Sequence, residues 1–386
     1  MKIYYWSPFF SNIATEKAVI NSIDSINRYS NKKISASLLE TIGEWKNQEK
    51  KILEKKINVK RISNFNLIKY LPKFGFIKSR ISYLIVFLFT VYKLHRFLKT
   101  EKPDFLIIHL MTFIPLILLL FFNYKTKFIL RISGFPKLNF LRINFWKFVG
   151  KKIFLITTPT KSTLELLQSS RIFNFDQLKY LPDPILNVKE IEKMKKEESF
   201  IEKEISKKKT IISIGRLTKQ KNFQFLINAF SIIQKKNSEL NLCILGEGED
   251  RTKLERQIKN LDLTDKVFLL GNKKNIYNYL KNSDIFILPS LWEDPGFVLI
   301  EAGYMNKLII SSDCPNGPKE LLENGKNGFL FKSNSLDNFL SEFNNLKNCD
   351  ENIIKNKKIS FKKKIKEFTL LNHYKVLKSI LIPNEN

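Results

Sequence analysis

Two carboxylates eight residues apart, Glu293 and Glu301, stand in the segment Trp292–Met305 (WEDPGFVLIEAGYM). Glu301 falls in a run that reads as a helix, among Val298, Leu299, Ile300, Ala302 and Met305, all side chains of the kind that bury. A carboxylate in such surroundings is costly unless it finds hydrogen-bond donors. The two hydroxyls of a ribose would satisfy it, and so would a structural salt bridge. Glu293 lies ahead of the helix, after a strand and a loop. Between the two acids, Gly296 lets backbone approach a ligand closely. The first amides of the helix, at Phe297 and Val298, would attract a phosphate group.

A second set of residues is cationic. Gly215–Asn222 (GRLTKQKN) follows the strand Thr210–Ile214 and leads into a helix, so Arg216 and Lys221 share one loop. Arginine presents a fork and lysine a point charge, and a diphosphate takes both. In so lysine-rich a chain the loop also reads as solvated surface. An arginine at the carboxyl end of a strand favours the first reading. A third loop, Leu245–Asp250 (LGEGED), places Gly246 after another strand, although Gly-x-Gly serves ordinary turns too. No Asp-x-Asp pair occurs, which leaves charge neutralisation to Arg216 and Lys221. Cys243, Cys314 and Cys349 are widely spaced, with no CxxC pair and no Cys/His cluster. Three free thiols in a reducing cytoplasm are expected, and no metal or other cofactor.

These residues need a frame, and the chain supplies strands and helices in alternation. Strands are expected at Lys2–Trp6, Lys33–Leu38, Asn58–Ile62, Phe105–Leu110, Lys127–Ile132 and Ile153–Thr157. Helices are expected at Thr15–Ser30, with Thr15 as cap, and at Ser79–Lys99. After Leu181-Pro182-Asp183-Pro184 and the charge-dense Lys189–Lys209, the alternation restarts from Thr210 to Ser312. Two doubly wound parallel sheets follow from this pattern, with a ligand held between them at the carboxyl ends of their strands. The expected division is an acceptor-side domain at 1–184, a charged linker at 185–209, and a donor-binding domain at 210–350. A helical tail at 351–386 is expected to pack back on the first domain. The length of 386 residues agrees with two cores.

Phe105–Asn123 runs 19 residues without a full charge. His109, Thr112 and Pro115 divide it into a strand and a helix, so it is not read as a membrane span. Met1–Phe10 reads as a first buried strand, not as a signal peptide.

Together GRLTKQKN, LGEGED, Val267–Gly271 (VFLLG), Asn282–Ser290 (NSDIFILPS) and the Glu-x7-Glu of EDPGFVLIE resemble the retaining glycosyltransferases of family 4, which have the α/β GT-B fold of two Rossmann-like domains. Ser312–Glu320 (SDCPNGPKE) and Asn324–Phe331 (NGKNGFLF) extend the resemblance toward members acting on surface polysaccharides or lipid-linked glycans. The resemblance implies roles. Glu293 would bind hydroxyls of the donor sugar, and Glu301 the ribose. Arg216 and Lys221 would bind the departing diphosphate. Gly296 and Phe297 would line the sugar, and Leu270 and Gly271 would lie near the base. Transfer would keep the anomeric configuration by front-face attack, without a protein nucleophile. His109 aligns with a family histidine that faces the cleft and would join the catalytic residues, although a lone histidine at a strand end also serves structure. Departures fall in the first half: Ser7–Thr15 (SPFFSNIAT) lacks the family's glycine pair, and Arg131-Ile132-Ser133-Gly134 stands where His-Gly is usual. Arg131 and Ser133 would then contact acceptor or phosphate.

Charge adds a partner. The net charge is +29, and residues 1–185 hold 31 basic against 11 acidic side chains. Lys51–Arg80 alone carries nine basic residues and one acid, interleaved with Phe65, Tyr70, Phe74 and Phe76 and followed by the apolar run Ile81–Val91. Such a stretch suits an anionic membrane surface, single-stranded nucleic acid, or a plain solvated face. With a lipid-linked acceptor the membrane is expected, no nucleic acid is, and the protein would lie on the cytoplasmic face of the cell membrane. The expected reaction moves a hexose or N-acetylhexosamine from a nucleotide diphosphate sugar to a glycan or lipid-linked glycan. Competing readings are a nucleotide-sugar epimerase of the same fold and a non-catalytic basic membrane- or RNA-binding protein.

Overall fold

The computed structural model describes residues 1–10, 14–72, 76–197 and 209–382. The chain divides into unit 1, Met1–Ile185 with Leu370–Asn386, and unit 2, Leu186–Thr369.

Unit 1 holds β1 (Lys2–Trp6), β2 (Ser35–Glu40), β3 (Asn58–Arg61), β4 (Phe105–Ile108), β5 (Lys127–Arg131), β6 (Leu155–Thr158) and β7 (Leu178–Tyr180). All pair in parallel, in the order β3-β2-β1-β4-β5-β6-β7. Every residue of β4 and β6 is buried, as in strands covered on both faces. Phe105–Asn123 resolves into β4 and the helix Phe113–Phe121, as its internal His109 and Pro115 require. Thr15 is not a cap: the helix runs Ala14–Tyr29 and takes Thr15 into its first turn.

Unit 2 holds β8 (Lys209–Ile214), β9 (Leu240–Leu245), β10 (Val267–Gly271), β11 (Ile285–Leu288), β12 (Leu308–Ser312) and β13 (Phe329–Phe331), again parallel, in the order β10-β9-β8-β11-β12-β13. Both sheets thus count third, second, first, fourth, fifth, sixth, and the first adds a seventh strand at its edge. The order reverses between β1 and β4 in one and between β8 and β11 in the other, the points where doubly wound sheets bind ligands. Of the charge-dense stretch after Pro184, Val188–Met194 is helix and 198–208 lies outside the described residues.

The tail is not one helix. Glu351–Lys364 belongs to unit 2, where Phe361 packs on Gly303: a Cβ at Gly303 would come within 2.4 Å of that ring. Leu370–Leu381 belongs to unit 1 and packs against Ala14–Tyr29, burying Leu377 and Leu381. A buried polar chain joins the two. His373 Nδ1 lies 2.7 Å from Pro182 O, so this nitrogen carries the proton, and Nε2 accepts from Ser22 Oγ at 2.6 Å. Ser22 Oγ then accepts the Tyr5 hydroxyl, also at 2.6 Å.

Burial lowers the His373 imidazole to about 4. Its folded value lies below the unfolded one of about 6.5, so the neutral ring contributes stability above pH 6.5 that is lost as pH falls toward 4. Between pH 7.5 and 4.5 the loss is about 2–3 kcal/mol. Denaturant titrations of the protein and of His373→Gln at both pH values will show the variant losing less by that amount. Equal losses would remove His373 from the pH dependence.

Candidate active site

At the β8/β11 reversal two loops are zipped together. Leu291 N donates to Gln220 O (2.8 Å), and the Gln220 side-chain amide donates to Trp292 O (2.9 Å). Across this zip the Lys221 ammonium stands 2.5 Å from Glu293 Oε1. The same oxygen accepts the Ser290 hydroxyl at 2.5 Å. Asn316 fixes the segment from the β12 side, its amide donating to Glu293 O (3.3 Å) and Asp294 Oδ1 (3.2 Å). A buried carboxylate is therefore compensated by one cation and one hydroxyl, in a frame of backbone bonds.

The glycines seat these loops. Gly246 has φ +142°, and a Cβ there would stand 1.9 Å from Gly215 O. At Gly248 it would stand 2.3 Å from Leu217 O. Gly215 N→Leu245 O and Leu217 N→Glu247 O, each 2.9 Å, hold the two loops face to face. Gly-x-Gly is thus a packing requirement here, whatever else it contacts. Gly317 plays the same part against Pro295 O, at 2.1 Å from a hypothetical Cβ.

The other sequence-predicted residues take these places. Arg216 is exposed and forms no ion pair among the described residues, so its guanidinium keeps its donors available. Gly296, at φ +94°, caps the helix Phe297–Tyr304, whose first two residues, Phe297 and Val298, are half-buried. Leu270 and Gly271 end β10 half-buried, and Gly271 O accepts Gly246 N at 2.9 Å. Glu301 is buried as its sequence context requires, and it accepts the Tyr277 hydroxyl at 3.0 Å. Burial and the neighbouring Glu301 charge push the Tyr277 phenol up. The protein thus supplies a donor that the sequence reading sought in a ribose. Burial also pushes the Cys314 thiol up to about 12, which makes it inert near neutral pH. Among the described residues no group of three or more His, Cys, Asp or Glu is placed to hold a metal ion.

In unit 1, His109 follows β4 at the reversal point, buried, with Nδ1 lacking a hydrogen-bond partner among the described residues. Burial, then the Arg131 charge, hold its pKa well below the ordinary value, so the ring is neutral. Arg131 is buried in a two-point pair with Asp183, Nε to Oδ1 at 3.0 Å and Nη2 to Oδ2. Ser133 is half-buried just beyond.

Several partners escape a reading of the sequence alone: Tyr277, Ser290, Asn316, Asp183 and His373. Ser290 and Asp183 sit in segments already conspicuous, after a strand and between two prolines. Nothing local marks Tyr277 or His373.

Residues 194–367, all within unit 2, match the family described as Glycosyl transferases group 1. An uncharacterized glycosyltransferase of Methanocaldococcus jannaschii is 35% identical over 250 residues, 60% of this chain and 61% of that protein. The N-acetylgalactosamine-N,N'-diacetylbacillosaminyl-diphospho-undecaprenol 4-alpha-N-acetylgalactosaminyltransferase of Campylobacter jejuni is 31% identical over 234 residues, 58% of this chain and 61% of that one. The chain thus matches about three-fifths of the length of these relatives. An Anabaena protein crystallised with UDP and glucose superposes with a TM-score of 0.72, covering 99% of both chains at 15% identity. The chain has the GT-B fold, with a glycosyl transferases group 1 match over residues 194–367.

Proposed function

We propose that the protein is a retaining, metal-independent glycosyltransferase. It moves a hexose or N-acetylhexosamine from a nucleotide diphosphate sugar to a lipid-linked glycan on the cytoplasmic face of a membrane, in surface polysaccharide synthesis. The observation that carries the reading is the Lys221–Glu293 pair at the β8/β11 reversal, beside the unpaired Arg216. Lys221 has three N–H donors, and one toward Glu293 leaves two for a diphosphate oxygen. Arg216 adds a fork for the same group. Glu293 accepts from donor-sugar hydroxyls through its remaining lone pairs, and Glu301 from the ribose. In the reaction the bond from the anomeric carbon to the phosphate oxygen breaks. A bond from that carbon to the acceptor oxygen forms on the same face, and the acceptor proton passes to the leaving phosphate. Lys221 and Arg216 neutralise the charge that develops. The Campylobacter relative is named for a diphospho-undecaprenol acceptor, and the Anabaena structure holds UDP and glucose; both support this choice of substrates. Incubation with a panel of labelled nucleotide sugars tests it. Slow release or transfer of the sugar is expected, whereas a free epimer or no binding would refute it.

The membrane partner rests on one helix. Phe76–Thr100 buries Ser82, Val86, Thr90 and Leu94 on one side. On another it exposes Ile81, Leu84, Leu88 and Tyr92, the last three at 58, 66 and 70%. Its stretch Arg80–Thr100 is long and apolar enough to cross a bilayer, and its most apolar 18 residues are only 33% buried in the fold. Arg80, Arg96 and Lys99 stand exposed on it, and Lys93 lies over the Phe89 ring at 3.4 Å. An apolar stripe set among cations suits a surface of anionic lipid. Of the sequence cluster around it, Lys73 and Phe74 lie outside the described residues, as do the side chains of Phe76 and Lys78. Leu84→Ser with Leu88→Ser is expected to abolish flotation with phosphatidylglycerol vesicles at unchanged melting temperature. Flotation equal to the parent's would sink this part of the proposal.

A further inference from the structure

Unit 1 contains a pocket that neither the donor chemistry nor the membrane stripe uses. It opens beyond the carboxyl ends of β4 and β5, with a volume of about 650 Å³, in the range of small-molecule sites. Its floor is His109, Arg131 and Ser133, and its walls are apolar, including Phe113, Phe145 and Trp146. Its rim is formed by Leu141 and Arg142, in the first turn of the helix Phe140–Gly150.

Three observations fix what would enter. First, no carboxylate lines the pocket, whereas two of the chain's ten arginines do. Asp183 offsets Arg131 from behind, so the uncompensated charge belongs to Arg142. Arg142 spends one N–H on Lys137 O at 3.0 Å and stands 5.6 Å from the Trp146 ring, which leaves its other donors for an anion. Second, His109 stands at the floor buried and neutral, so it adds no charge to the pocket. Third, the rim continues into exposed apolar surface: Leu141 and the preceding Phe140 are 79 and 78% exposed. Tyr83, on the helix that bears the membrane stripe, also lines the pocket.

Cations alone would suit any phosphate, and apolar walls alone any hydrocarbon. A bilayer surface cannot enter a space of this size, but one end of a single lipid can. We propose that this pocket binds the diphosphate end of a prenyl-type lipid. Arg142 and Ser133 hold the anion, and the aromatic walls hold the first carbons of the chain. The inference rests on the lipid-linked acceptor proposed above and assigns that acceptor's charged end to unit 1.

Calorimetry on the full chain with farnesyl diphosphate tests it, beside inorganic diphosphate and farnesol as its two halves. Farnesyl diphosphate is expected to bind at least tenfold more tightly than either half. Arg142→Gln is expected to weaken it by about tenfold, and so is Leu141→Ser; both side chains are exposed, so neither change should disturb the fold. UDP binding is measured on the same samples. If neither variant weakens farnesyl diphosphate, or inorganic diphosphate binds as tightly, the pocket assignment is overturned whatever UDP does. If both variants weaken it while no nucleotide binds, the pocket stands and the donor reading falls.

Discussion

Lys221→Met is expected to lower kcat/KM for sugar transfer by about 10²- to 10³-fold, the usual loss when one preorganised charge partner of a transition state is removed. The same change acts on stability, because it strips the cation from a buried carboxylate. Glu293 keeps only the Ser290 hydroxyl on Oε1. Breaking a buried pair in this way typically costs about 3–5 kcal/mol. Two companions separate these effects. Lys221→Met with Glu293→Gln removes the orphaned charge, so stability should largely return while transfer stays low. Arg216→Gln touches no buried partner, so unfolding should be unchanged while the nucleotide-sugar KM rises. Measuring kcat/KM and urea unfolding for all three decides the matter. Recovery of transfer in the double variant would show that the pair only holds the loops together.

The other large effect concerns a residue that carries no functional group. Gly246→Ala would set a methyl group 1.9 Å from Gly215 O at φ +142°, where the oxygen is backbone and the methyl carbon is fixed by its own backbone, so neither can rotate away. The loops after β8 and β9 must then separate, breaking the paired bonds Gly215 N→Leu245 O and Leu217 N→Glu247 O. A loss of more than about 3 kcal/mol is expected, in the range that marks a specific structural conflict. Gly325→Ala is the control. Its φ is +98°, but nothing lies within 4 Å of the added carbon, so it should lose only about 1 kcal/mol from backbone strain. Similar unfolding free energies for the two variants would mean that the loops are not in contact.

The sequence disclosed the long, well-patterned elements because alternation over five or six residues is local information. β9 begins and ends on a leucine, and the apolar start of β12 is followed by two buried serines. The three-residue strands β7 and β13 lack that pattern, being edge strands completed by pairing to β6 and β12. The break at Ile365–Thr369 carries neither Gly nor Pro; the two flanking helices bury their apolar faces in different units. At the site, residue type and loop position sufficed to nominate Glu293 and Lys221. Their meeting could not be read, because it spans 72 residues and depends on which strands are neighbours. Tyr277 escaped for the opposite reason: it looks like one more apolar helix residue until Glu301 is placed opposite it.

The helix Leu370–Leu381 has a consequence for the order of assembly. Everything unit 2 needs is made before His373, and unit 1 cannot close its Tyr5–Ser22–His373 chain until that residue has been made. At about 5–20 residues per second, a ribosome takes roughly 10–40 s to go from Ile185 to Leu370. During that time the first-made sheet stands without the helix that covers Ile20 and Ile23, while the second can finish folding. The unit that begins first is completed last, and its apolar flank is the part of the nascent chain that would most need a chaperone.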